Sequence, residues 1–188
     1  MAEQLIWRWL FYGWIAMEVV ISIVTRTRSG QGVLHDRGTQ VMLWVLIYSS
    51  FFAAGWLALP GADMRFDHDA LRWAGLAILV AGLAIRITAI VTLGKAFSAN
   101  VAIRKEQTVQ RANLFRLVRH PSYLGMEIIF LGAGLHAHNW ISLGILLVVP
   151  TAGVLARIHV EEKALLGAFG EEYADYMHTT KRLIPGVY

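Results

Sequence analysis

The chain has 188 residues, of which 56% are hydrophobic and only 16% charged, with a mean hydropathy of +0.51. That balance excludes a disordered chain and is too apolar for an ordinary soluble domain. The absence of cysteine removes disulfides, thiolate zinc sites, iron–sulfur clusters and a cysteine nucleophile. Membrane topology and anionic head groups account for the net charge of +4, so no nucleic-acid partner is predicted.

Crossing the roughly 30 Å of hydrocarbon takes about 20 apolar residues in helical form. On that measure the sequence predicts five transmembrane helices near Leu5–Val24, Val41–Leu59, Leu71–Leu93, Ser122–His138 and Trp140–Leu155. The apolar runs are continuous and not alternating, which argues for helices over a β-barrel. The last two spans are short and parted only by His138 and Asn139, a tight antiparallel hairpin. The first span lacks a basic leader and a small-residue cleavage site, so it is expected to be retained. Basic residues collect after the odd-numbered spans: Arg26, Arg28 and Arg37; Lys95, Arg104, Lys105, Arg111, Arg116 and Arg119; and Arg157, Lys163, Lys181 and Arg182. Arg8, Arg65 and Arg72 lie on the other side. The expected orientation is an outside N-terminus and a cytoplasmic C-terminus.

Two cytoplasmic segments follow from this topology, residues 94–121 and 157–188. The tail reads as an amphipathic helix with Leu165, Phe169, Tyr173 and Tyr176 down one stripe and Glu171, Glu172 and Asp175 turned away, ending at Pro185. No repeat or linker divides residues 1–188, so a single all-α integral membrane domain is expected.

Some polar residues stand out against this background. Arg157 and Glu161, spaced i, i+4, leave the fifth span on one helix face, either as a surface ion pair or as working groups at a boundary where an idle charge is costly. Arg119-His120-Pro121-Ser122-Tyr123 opens the fourth span. It reads either as a plain helix start, with Pro121 in the first turn and a snorkelling Arg119, or as a ligand site at the positive end of a helix dipole. Glu18, Arg86 and Glu127 are charges inside apolar runs. Glu18 and Arg86 suit a mutual pair, and Glu127, one turn beyond Tyr123, suits the lining of a cavity. Gly75 and Gly82 read as a packing seam, and the glycines of Gly132–Ala137 as close helix contact, since no strand precedes them to make a dinucleotide site. His136 and His138 lack a third ligand nearby in the sequence, so no metal is predicted.

Taken together the polar segments become specific. Phe97-Ser98-Ala99-Asn100-Val101, Leu117 through Gly125 with Arg-His-Pro-Ser-Tyr at its centre, Arg157 with Glu161-Glu162, Phe169-Gly170-Glu171-Glu172-Tyr173 and Arg182-Leu183-Ile184-Pro185 resemble the isoprenylcysteine carboxyl methyltransferase family. The resemblance runs from about the third span to the end of the chain. It implies a membrane methyltransferase that uses S-adenosyl-L-methionine, with a cytosolic cofactor pocket completed by the C-terminal helical segment and a lipid-bearing substrate entering from the bilayer. Carried over by motif, Gln107, Thr108, Val109, Gln110, Phe115, His120, Pro121, Ser122, Tyr123 and Glu161 resemble the family's cofactor contacts. Phe115 stands where the family often has Tyr, keeping the ring and losing the hydroxyl. Arg157 resembles the substrate-orienting arginine and Glu161 the acidic residue beside the cofactor.

The expected activity is esterification of a carboxylate on a lipid-modified substrate, such as a C-terminal S-isoprenylcysteine. Alternatives within the superfamily are phospholipid N-methylation and small-thiol S-methylation. Outside it stand an NADPH-dependent sterol-type reductase and a non-catalytic membrane subunit. Oligomeric state is not legible in the sequence.

Overall fold

The structure, a computed structural model, describes residues 2–25, 33–34, 38–57, 69–100, 102–103 and 107–188. Arg26, Arg28, Arg37, Arg65, Val101, Arg104 and Lys105, and the end of the second predicted span at residues 58–59, lie outside the described residues.

Six α-helices carry the described fold: α1 Ala2–Val24, α2 Thr39–Leu57, α3 Asp69–Leu93, α4 Pro121–His136, α5 Trp140–Phe169 and α6 Glu171–Thr179. Short 3₁₀ turns at Gly94–Ala96 and Asn113–Arg116 shape the segment between α3 and α4, and Val33–Leu34 pairs antiparallel with Ala102–Ile103. Among the described residues, α1, α2, α3 and α5 are long and apolar enough to cross a membrane. The fourth predicted span appears as α4, only 16 residues. At 1.5 Å per residue it reaches about 24 Å.

Burial explains the arrangement. Ile47, Leu79, Met126, Ile129, Phe130, Leu146, Val154 and Ile158 form the interior, and rings from α1 close it where Trp14 meets Phe51 at 5.4 Å and Phe130 at 6.1 Å. The outer faces keep Trp9, Ile23, Phe52, Val91 and Val148 exposed. Apolar exposure of that extent fits a hydrocarbon surround, where helices satisfy their own backbone groups.

The predicted glycine seam brings α3 and α4 together backbone to backbone. A Cβ on Gly75 would lie 2.6 Å from the Gly132 carbonyl oxygen, and one on Gly82 would lie 2.8 Å from the Gly125 oxygen and 2.8 Å from the Ile129 nitrogen. Backbone faces backbone, so no side chain can give way. Gly82→Ala is therefore expected to cost about 2 kcal/mol in thermal unfolding of the detergent-solubilised protein. Gly144→Ala, where nothing lies within 4 Å, is expected to be neutral or mildly stabilising.

The α4–α5 hairpin turns over Ala137, His138 and Asn139, with the Asn139 side chain accepting from Ile141 N at 2.9 Å and Ser142 N at 3.1 Å as an N-cap. The tail departs from expectation. α5 runs unbroken for 30 residues, about 45 Å, so its last third projects beyond a 30 Å hydrocarbon layer. It ends at Gly170, whose φ of 53° breaks the helix and starts α6 in a new direction. The tail is thus two helices, and it leaves helical form after Thr179, ahead of Pro185. The stripe survives the break in part: Tyr173 and Tyr176 are buried, while Glu171, Glu172 and Asp175 are exposed.

Candidate functional site

The residues after α6 fold back along the entrance to α4. Val118 and Lys181 form a parallel bridge, Arg119 N donates to Lys181 O at 2.8 Å, and His120 N donates to Arg182 O at 3.1 Å. Pro121 then starts α4 at a position whose amide would have no helical partner.

Glu162 is the hub beneath this clamp. Its Oε1 accepts from Arg119 Nε at 2.9 Å and Nη2 at 2.7 Å, and lies 3.3 Å from His120 Nε2; its Oε2 is 2.8 Å from Arg182 Nη2. Arg119 also donates to the carbonyls of Met177 at 3.2 Å and Thr180. Burial by itself would raise the Glu162 pKa, but the hydrogen bonds from His120, Arg119 and Arg182 outweigh it and hold the carboxyl at about 2. The expectation of a snorkelling Arg119 is overturned: this side chain is buried and ion-paired because three chain segments converge on it.

Within the first turn of α4, Tyr123 joins the residues singled out on α5. Its hydroxyl donates to Glu161 Oε2 at 2.9 Å and accepts from Arg157 Nε at 3.0 Å. Arg157, 3% exposed, also donates to Thr39 Oγ1 at 3.1 Å and to the Ala99 carbonyl. A surface ion pair is therefore not what Arg157 and Glu161 form; the half-buried Tyr123 hydroxyl bridges them.

The segment before α4 supplies another wall. The 3₁₀ turn at Asn113–Arg116 points Phe115 inward, and its carbonyl accepts from Tyr176 Oη at 2.5 Å. Arg111 lies over the Tyr176 ring at 5.3 Å, and Gln110 Nε2 donates to Thr92 O at 3.3 Å. Burial raises the Tyr176 pKa to about 12 against the opposing pull of Arg119 and Arg111, and it raises Tyr173 further, so both phenols stay neutral.

These walls enclose one cavity. Gln107, Thr108, Val109, Gln110, Phe115, His120, Pro121, Ser122, Tyr123, Arg157 and Glu161 all line it. So do Leu43, Trp44 and Met126, which sequence reasoning did not single out, and Phe97, Leu165 and Tyr173, which it named without a role in the site. Its lining mixes charged groups, Arg157 and Glu161 among them, with apolar side chains such as Ile21, Leu43, Trp44 and Met126. Glu127 does not line it as expected; its Oε2 accepts from Thr151 Oγ1 at 2.6 Å on α5. Glu18 and Arg86 do pair with each other, as the sequence suggested, and both reach the cavity wall. His136 stacks on Trp7 with centroids 4.4 Å apart and lies 3.4 Å from Glu3, at a separate cavity.

Comparison with known proteins supplies the identity of this arrangement. Residues 75–167 match the model of the isoprenylcysteine carboxyl methyltransferase family. Protein-S-isoprenylcysteine O-methyltransferase B of Arabidopsis thaliana is 32% identical over 115 residues, covering 60% of this chain and 58% of that protein. Protein-S-isoprenylcysteine O-methyltransferase of Schizosaccharomyces pombe is 30% identical over 131 residues, covering 69% of this chain and 56% of the relative. The solved structure of the eukaryotic intramembrane Ras methyltransferase ICMT superposes with a TM-score of 0.59 at 26% identity, over 79% of this chain and 51% of that one. The chain thus spans between half and three fifths of the length of these relatives. The matched stretch holds most of α3, all of α4 and α5 nearly to its end, and with them the cavity residues from Gln107 to Glu161: the chain is an integral membrane protein and belongs to the isoprenylcysteine carboxyl methyltransferase family.

Proposed function

We propose that this chain is a membrane methyltransferase that uses S-adenosyl-L-methionine to esterify the carboxylate of a lipid-modified substrate, such as a C-terminal S-isoprenylcysteine. The observation that carries this reading is the Arg157–Tyr123–Glu161 bridge on the wall of a cavity lined by both charged and apolar side chains.

The donor set suits the methyl donor. Glu161 offers a carboxylate to a cationic ligand, Phe115 an aromatic face, and His120, Pro121, Ser122 and Tyr123 the first turn of α4; Gln107, Thr108, Val109 and Gln110 add the facing strand of chain. When bound, S-adenosylmethionine supplies an electrophilic methyl group on a positively charged sulfur.

The chain's own residues do the rest. A substrate carboxyl with an ordinary pKa of about 4 is already ionised at neutral pH, so no general base is required. The site must orient that carboxylate and keep water away. Arg157, which donates to Tyr123, Thr39 and the Ala99 carbonyl, is a planar fork suited to a substrate carboxylate through charge-assisted hydrogen bonds. Leu43, Trp44 and Met126 line the same cavity and suit a hydrocarbon tail entering from the bilayer. An arginine beside the acceptor favours carboxylate over amine, which would first have to lose a proton. The distribution of basic residues supports a five-span topology with the cavity mouth and the C-terminus in the cytosol.

Calorimetry on the detergent-purified protein tests the class, with S-adenosylmethionine, S-adenosylhomocysteine and NADPH titrated separately. Saturable binding of the first two is expected; binding of NADPH alone, or of none, overturns the proposal. A radiolabelled methyl donor offered with an S-prenylcysteine, phosphatidylethanolamine or a small thiol then identifies the acceptor, and label in the prenylcysteine ester is the expected result.

A further inference from the structure

Glu18 and Arg86 have no part in the roles assigned above, although both line the cavity. Glu18 is 1% exposed and Arg86 5%. Arg86 Nη2 donates to Glu18 Oε2 at 2.6 Å and its Nε to Oε1, while Nη1 donates to Ser122 Oγ at 2.8 Å and to the Ser122 carbonyl at 3.2 Å. The indole of Trp14 donates to Glu18 Oε1 at 3.3 Å. The pair therefore ties α1 and α3 to the first turn of α4, one residue from Tyr123.

A buried ion pair is a weak stabilising device, since packed apolar side chains in its place hold helices together as well or better. Its position suggests what it does instead. Among the described residues, the charged side chains on the cavity wall are Glu18, Arg86, Arg119, Arg157 and Glu161, with Glu162 behind Arg119 and shared with Arg182. Within this set Glu18 is the carboxylate that pairs with Arg86. Arg86 in turn holds Ser122 in place and cannot give up its charge.

Resting on the methyl-donor reading, we propose that Glu18 is a positioning residue for the cofactor: its carboxylate cancels the Arg86 charge, so that the cavity accepts a ligand bearing a positive sulfur while Arg86 stays on Ser122. Residue 18 lies outside the stretch matched by the family model, so α1 contributes to the site from beyond the matched region.

The product S-adenosylhomocysteine differs from the donor in having a neutral sulfur, and this separates charge from shape. In Glu18→Gln the uncompensated Arg86 is expected to weaken S-adenosylmethionine binding about tenfold relative to S-adenosylhomocysteine, a charge effect that the low-dielectric surroundings transmit. The double variant Glu18→Gln with Arg86→Gln is expected to return the ratio of the two affinities to the wild-type value. Loss of both ligands in equal proportion, or an unchanged ratio, overturns the proposal and leaves the pair a structural tie. Should Glu18→Gln fail to fold, Arg86→Gln alone is measured: its ratio is expected to move toward the methyl donor, and an unchanged ratio or a move toward S-adenosylhomocysteine overturns the proposal. Wild-type protein that binds neither ligand refutes the methyltransferase reading itself, a result distinct from an unchanged ratio.

Discussion

Arg157→Ala is expected to lower methyl transfer to a carboxylate acceptor by at least about 100-fold, comparable to deleting one preorganised charge-stabilising donor from an enzyme site. The affinity for S-adenosylmethionine is expected to change little, because Glu161 keeps its bond from Tyr123 when the guanidinium is gone. Arg157→Lys retains the charge but cannot reach Tyr123, Thr39 and Ala99 at once from a single ammonium, so it is expected to keep a small fraction of activity. Turnover with radiolabelled donor and calorimetric titration of the cofactor, run on the same preparations, separate these effects. Unchanged turnover in Arg157→Ala removes the assigned role. Equal loss of turnover and cofactor binding makes Arg157 a support for the cavity and not a handle for the substrate.

Residues of this site were legible in the sequence to different depths. Arg157 and Glu161 could be picked out by local physics, as charges at the exit of an apolar run, but their bridge could not. Tyr123 lies 38 positions from Glu161, and nothing in helical spacing brings them together. Gln107 to Gln110 and Phe115 carry no local signal of ligand contact, and only the family resemblance singled them out; the structure places all of them on the cavity wall. The glycine seam was readable because small residues at heptad spacing have a direct geometric meaning. Glu162 was hidden by its neighbour. Adjacent helical positions point about 100° apart, so the pair Glu161-Glu162 looks like one acidic motif and serves two separate networks. The length of α5 was misjudged because hydropathy falls where the helix leaves the hydrocarbon, whereas helical hydrogen bonding continues to Gly170. The loss of helix before Pro185 follows from tertiary pairing of Lys181 and Arg182 with the α4 entrance, which composition does not announce.

Glu162→Gln is expected to destabilise the clamp at the α4 entrance by about 3–5 kcal/mol, the usual cost of removing one member of a buried ion pair. The amide leaves Arg119 and Arg182 without the carboxylate that collects them, and the C-terminal strand of chain loses its hold on His120 and Pro121. Both cofactor affinity and thermal stability should fall together, in contrast to Arg157→Ala. The same hub predicts a pH dependence. Glu162 is held at about 2 in the folded chain against an ordinary value of 4.5, so its contribution is complete above pH 4.5 and is lost as the pH falls toward 2. A difference of that size is worth about 3 kcal/mol for a group so deeply buried. Thermal unfolding between pH 6 and pH 3 should therefore lower the wild-type melting temperature more than that of Glu162→Gln, because the variant has no carboxylate to protonate. Parallel pH profiles for the two proteins would remove Glu162 from its place at the centre of the clamp.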